Sequence, residues 1–285
     1  MQNIIEGTHQ IQGKAIILSA AEEVFSEYIR DFICEADSLE TKWQIARQLY
    51  AHLGYGSLNC DRIDDNIITV NSSHYVEGWK TGFQNSNSSV CTFTEGYLQG
   101  VIHGITGETV TVTEISCINT GDNCCKFAID RSRTTPISFS SKQAIAHQLP
   151  ATSYQNDSHI DEQKIIDALV EMPFVGNEQG LMPAFNVYLA NTPADFYNLI
   201  CIRFLEAMRK ANLYSTAKEL LLFAGEVCAL NTLRGILISP EWFELIAPMV
   251  EEEADCLYGL IAVTNALSWG NWHIGNSLGW WSHRY

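Results

Sequence analysis

The stretch Cys91–Phe127, CTFTEGYLQGVIHGITGETVTVTEISCINTGDNCCKF, holds four of the chain's nine cysteines between glycine-rich bends. Its first part places Phe93, Tyr97, Leu98, Val101 and Ile102 on one face at helical spacing, which predicts a helix over 90–105 ended by Gly104 and Gly107. ETVTVTEISC then alternates as a strand, INTGDN is a turn of the Gly-Asp kind, and CCKFAID returns as the partner strand. Cys117 and Cys125 face each other across that turn, and Cys91 can pack onto the hairpin from the helix. Glu114 is close in sequence, but a regular strand points 114 and 117 to opposite faces, so it joins the thiols only through a bulge. Cys124 and Cys125 also point opposite ways. With no paired C-x-x-C knuckle, spacing alone favours buried structural thiols over a metal centre, which calls for several soft ligands in one place.

Working outward, residues 20–53 read as two amphipathic helices stopped by Gly54 and Gly56. RIDDNIITVN is a turn and a strand, and SSHYVEGWKTGF is a helix capped by Ser72 or Ser73 with Val76, Trp79 and Phe83 in register. Residues 134–160 are rich in Ser, Thr, Gln and Pro and read as a polar linker. It separates a first domain, 1–133, from a mainly helical second one, 161–285. Helices are expected there over 161–170, 193–211, 215–229, 240–250 and 253–266, ahead of an aromatic tail, WGNWHIGNSLGWWSHRY, read as a strand hairpin. IILSAAEEVF at 16–25 parallels ILISPEWF at 236–243, and LGYGSL at 53 parallels LSWGNW at 267, so the second half reads as a partial second copy without the cysteine hairpin.

A formal charge of −16 with no Lys/Arg cluster argues against nucleic-acid binding. No secretory signal and no apolar run long enough for a transmembrane segment is seen, so a cytoplasmic protein with free thiols is expected. Walker, G-x-G-x-x-G and G-x-S-x-G patterns are missing, and no catalytic residue is assigned. Trp79, Phe83, Phe93 and Tyr97 form an aromatic set that either lines an apolar chamber or is plain core. His74 and His103 fall at helix ends and are the polar candidates beside it.

Taken together, GYLQGVIHGITG, VTVTEISC and GDNCCKF resemble the signature of the 4-vinyl reductase (hydrocarbon-binding) domain family. The matching positions are Gly96, Tyr97 and Gly100, then Glu114 and Cys117, then Gly121, Asp122, Cys125 and Phe127. The resemblance covers most of 15–130 and, less completely, 165–272. It implies an α/β (α+β) fold akin to the Golgi-transport tethering subunits, with helices packed on a small antiparallel sheet and a pocket for hydrophobic small molecules. It also implies a structural zinc on Cys91, Cys117 and Cys125, with Glu114 as the fourth ligand. The chlorophyll-associated branch is the most similar, which would make the ligand a tetrapyrrole intermediate and the setting pigment or photosystem assembly, peripheral to photosynthetic membranes. Protein partners or a homodimer are expected. A vinyl reductase with a borrowed hydride donor and a ligand-free scaffold are the competing readings.

Overall fold

The structure is a computed structural model and describes residues 2–82, 88–140, 161–172, 174–249 and 278–280. Its first half opens with α1 (Gln2–Gly7), α2 (Gly13–Ile33) and α3 (Leu39–His52). Ser38 caps α3 by accepting the Thr41 N–H at 3.0 Å. β1 (Gly56–Asn59), β2 (Ile67–Ser73), α4 (His74–Gly82) and α5 (Thr92–Thr106) follow, then β3 (Thr111–Ser116), a 3₁₀ turn (Ile118–Thr120) and β4 (Cys125–Asp130). The strands form one antiparallel sheet in the order β1-β2-β4-β3. This is the mixed architecture expected, helices against a small antiparallel sheet. Strand β1 has no sequence signal of its own, because GSLN is short and sits between two turn signals.

Helix α5 positions everything else, and its sequence shows how. Gly96, Gly100 and Gly104 recur every four residues. A Cβ at Gly96 would run into the Leu18 carbonyl oxygen, one at Gly100 would stand 2.5 Å from that of Glu22, and one at Gly104 would run into Ile29 Cγ2. The glycine face therefore lies directly on the backbone of α2. Gly104 is part of this seam rather than a stop; the helix ends at Gly107, whose φ of 78° gives the left-handed cap. A neighbouring face of α5 serves β3, the edge of the sheet. Gln99 accepts the Val112 N–H at 2.9 Å and Glu95 accepts the Glu114 N–H at 2.8 Å. Two edge donors that would otherwise be stranded in the interior are thereby satisfied.

The second half contains α6 (Glu162–Val170), the hairpin β5 (Met182–Ala184) and β6 (Val187–Leu189), and β7 (Asn191–Pro193). Then come α7 (Ala194–Lys210), α8 (Tyr214–Leu237), a π-turn (Trp242–Ile246) and a 3₁₀ turn (Ala247–Met249). Strand β8 (Leu278–Trp280) pairs antiparallel with β7. The helix expected over 253–266, the rest of the aromatic tail and most of the linker lie outside the described residues. The two repeated segments differ in form: 16–25 is continuous helix within α2, whereas 236–243 crosses the end of α8 and a break at Ser239, whose hydroxyl accepts the Trp242 N–H at 3.1 Å.

The halves share one hydrophobic core. Phe196, Ile200, Phe204 and Met208 recur every four residues along α7 and are buried in the same cluster as α2 and α5. Tyr55 donates its hydroxyl to the Asn191 carbonyl at 2.5 Å. Glu22 and Glu23, buried on α2, are met by Arg133 from the segment after β4 (2.5 Å to Glu22) and by Arg203 from α7 (to Glu23). Ser140 N–H donates to Glu23 at 2.6 Å. A second, smaller cluster joins α6, β5, β6 and the end of α8 around Phe185 and Trp242. Among the described residues no helix is long and apolar enough to cross a membrane.

Candidate metal centre and aromatic core

The ligand atoms of Cys91, Glu114, Cys117 and Cys125 all lie within 4.8 Å of one another. Each arrives for a local reason. Cys91 is the residue before the first turn of α5, one turn ahead of Glu95 on the face that follows β3, and its N–H donates to Glu114 Oε2 at 3.1 Å. Glu114 points inward with Val112. The pairing of β3 with β4 then slips between Glu114 and Ser116, so that Cys117 turns to the side of Glu114 instead of away from it. The turn is fixed by Asp122, which accepts the Cys117 N–H at 2.9 Å, and by Gly121 at φ 99°. Cys125 opens β4 facing the interior, and the Ile118 N–H points at its sulfur at 3.4 Å. Cys124, its neighbour, is on the outer side and is only partly buried.

The donor set suits a soft divalent cation. The Cys91 and Cys125 sulfurs are 3.7 Å apart, far beyond a disulfide. Two thiolates on one tetrahedral zinc, with Zn–S near 2.3 Å, would stand about 3.8 Å apart. Electrostatics point the same way. The thiols hydrogen-bond to one another, which pulls Cys117 well below the ordinary thiol range as the shared acceptor and raises Cys91 well above it. The Cys125 thiol is pushed up to about 12 by the neighbouring Cys117, and burial raises the Glu114 carboxyl to about 8. Four acidic groups at this spacing cannot all ionise unless a positive charge stands among them. Zinc on these four residues would be closed by protein ligands, which is the form of a structural site.

Beside this centre the aromatic side chains pack as a group. Phe93 stacks on Tyr75 with centroids 4.6 Å apart and meets Tyr55 at 4.7 Å, Phe25 at 5.5 Å and Phe196 of α7 at 5.1 Å. Tyr97 lies 4.8 Å from both Phe25 and Tyr50. The hydroxyls leave this interior: Tyr97 donates to the Ala46 carbonyl at 3.0 Å, and Tyr50 pairs with Thr94 at 2.9 Å. Phe93 and Tyr97 are thus fully buried, with other rings against their faces. His74 stands at the margin, edge-on to Tyr75 at 5.5 Å, and burial lowers its pKa to about 4. Trp79 packs against the same core from α4, and Phe83 lies outside the described residues.

His103 is not brought to this group. It sits ten residues further along α5 than Phe93, about 15 Å by helix rise, where its Nδ1 pairs with Ser26 Oγ of α2 at 2.8 Å. Its position in the last turn of α5 makes it a candidate by sequence; the glycine seam turns it toward α2. Sequence reasoning also misses Tyr50, Tyr55, Phe25 and the paired Glu22–Glu23. The last had a signal, two adjacent acids inside the apolar run SAAEEVFS, since carboxylates at core positions call for buried cations.

The fold and the centre together define an α+β domain with a soft-ligand site closing a hairpin against an aromatic core. Residues 67–131, from β2 to the end of β4, match the family model of the vinyl-4-reductase domain. No curated protein matches the sequence. Among solved structures the chain is similar to the phenol-responsive sensory domain of the transcription activator PoxR with phenol, at 12% identity and a TM-score of 0.35, over 46% of this chain and 70% of that one. It is also similar to a vinyl-4-reductase family protein from Methanocaldococcus jannaschii, at 16% identity and a TM-score of 0.28, over 40% of this chain and 68% of that one.

Proposed function

We propose that this chain binds a hydrophobic small molecule in the half that carries the vinyl-4-reductase match, and that Cys91, Glu114, Cys117 and Cys125 hold a zinc ion that braces the binding unit. The observation that carries this reading is the ring cluster around Phe93, an interior whose tyrosine hydroxyls are bonded outward and which offers an oily guest only apolar surface. A guest enters there by parting rings, and His74 at the margin supplies a neutral imidazole for orientation. Zinc would supply cross-linking rather than Lewis-acid chemistry, because its positions are all taken by side chains. The ligand we favour is a tetrapyrrole intermediate, on the likeness of the glycine and cysteine motifs to the chlorophyll-associated branch of the family. That likeness also favours a cytoplasmic protein at the edge of a pigment-bearing membrane.

Titration of the purified chain with a metal-free porphyrin and with 1-naphthol, followed by tryptophan fluorescence, tests the binding. Saturable quenching at one equivalent, with a shifted porphyrin absorbance band, is expected. No quenching by either probe at tens of micromolar would overturn it, and loss of the vinyl group on adding NADPH alone would make the protein an enzyme. Elemental analysis should return one zinc per chain, lost in Cys117→Ser.

A further inference from the structure

Helix α8 presents an apolar stripe to solvent. Leu222 is 63% exposed, Phe223 56%, Leu230 54% and Leu237 42%, and Ile238, just past the helix end, is 71% exposed. Phe223, Leu230 and Leu237 are seven residues apart, with Val227 between the first two. That is the spacing of a helix seam made to lie along another helix, not the scatter of single apolar residues that any surface carries.

The order of these residues names the second helix. The stripe is symmetric about Leu230: Phe223 and Leu237 stand seven positions to either side, and Leu222 and Ile238 eight. By sequence a glutamate stands at 226, four positions before Leu230, and Arg234 stands four after it. A twofold axis through Leu230 would run α8 antiparallel to its own copy, setting apolar against apolar at 222/238 and 223/237 and acid against base at 226/234. An isologous contact needs one surface that complements itself under rotation. A stripe made for a different protein has no reason to have this palindromic order.

We infer that the exposed face of α8 is the contact between two copies of this chain, paired antiparallel about Leu230. The expected association is a dimer that places the two halves bearing the vinyl-4-reductase match on opposite flanks of a central helix pair. Sedimentation equilibrium of the full chain tests it. Wild type should show twice the monomer mass at tens of micromolar, Arg234→Glu should dissociate at least tenfold more readily by setting like charges together, and Glu226→Arg combined with Arg234→Glu should restore the dimer. Leu230→Glu, on the axis, should give a monomer with an unchanged circular dichroism spectrum. A monomeric wild type would overturn the inference and leave the face to residues 250–277 or another protein. A dimer insensitive to Leu230→Glu and Arg234→Glu would overturn it equally.

Discussion

Gly100 shows how much a single residue can decide. Its missing side chain lets α5 approach α2 until a Cβ would meet the Glu22 carbonyl oxygen at 2.5 Å and the Ser26 nitrogen at 2.9 Å, both backbone atoms that cannot swing aside. Gly100→Ala should therefore cost about 1–3 kcal/mol, read from urea denaturation, although alanine is the better helix former. His74 carries a different signature. Its folded pKa, about 4, lies below the ordinary 6.5, so the unfolded chain takes up the proton first as the pH falls. The stability of the neutral, buried ring is thus fully present above pH 6.5 and is lost progressively toward pH 4. Allowing for partial exposure, the loss is about 2 kcal/mol. His74→Gln should flatten that part of the stability–pH curve, and an unchanged curve would refute the assignment.

Among elements, the β3–β4 hairpin is the one whose stability depends on the proposed ion. It is an edge hairpin tied to α5 by the Gln99 and Glu95 contacts and by the four converging donors. Removing zinc with a chelator should speed amide exchange in 111–130 by about tenfold or more while 15–30 of α2 changes far less. Equal change in both would mean that the centre does not brace the hairpin. The hairpin is also where sequence reasoning reached furthest. Alternation in VTVTEIS and the Gly-Asp turn define both strands, and the need for a bulge at Glu114 follows from period-two geometry. The slip beside Ser116 supplies that bulge, but nothing local in the sequence places it; it arises from the fit of the turn on Asp122.

For the whole molecule, the shared core sets the cooperativity. Phe204 lies in the second half, outside the stretch that matches the family model, yet it is fully buried among residues of the first. Phe204→Ala should lower the stability of the entire chain by about 3–5 kcal/mol. Calorimetry should show one earlier transition rather than a separate melting of 161–285. This union was not legible in the sequence. The polar stretch after Arg131 reads as a boundary, and only the buried Glu22–Glu23 pair hints that distant arginines must return to it. The same node has a consequence for biosynthesis. Glu23 leaves the ribosome some 180 residues before Arg203, a delay on the order of ten seconds or more at about 5–20 residues per second. Throughout that interval the nascent α2 holds an uncompensated carboxylate on a greasy helix, so the N-terminal half waits, open to chaperones, until the end of the message closes it.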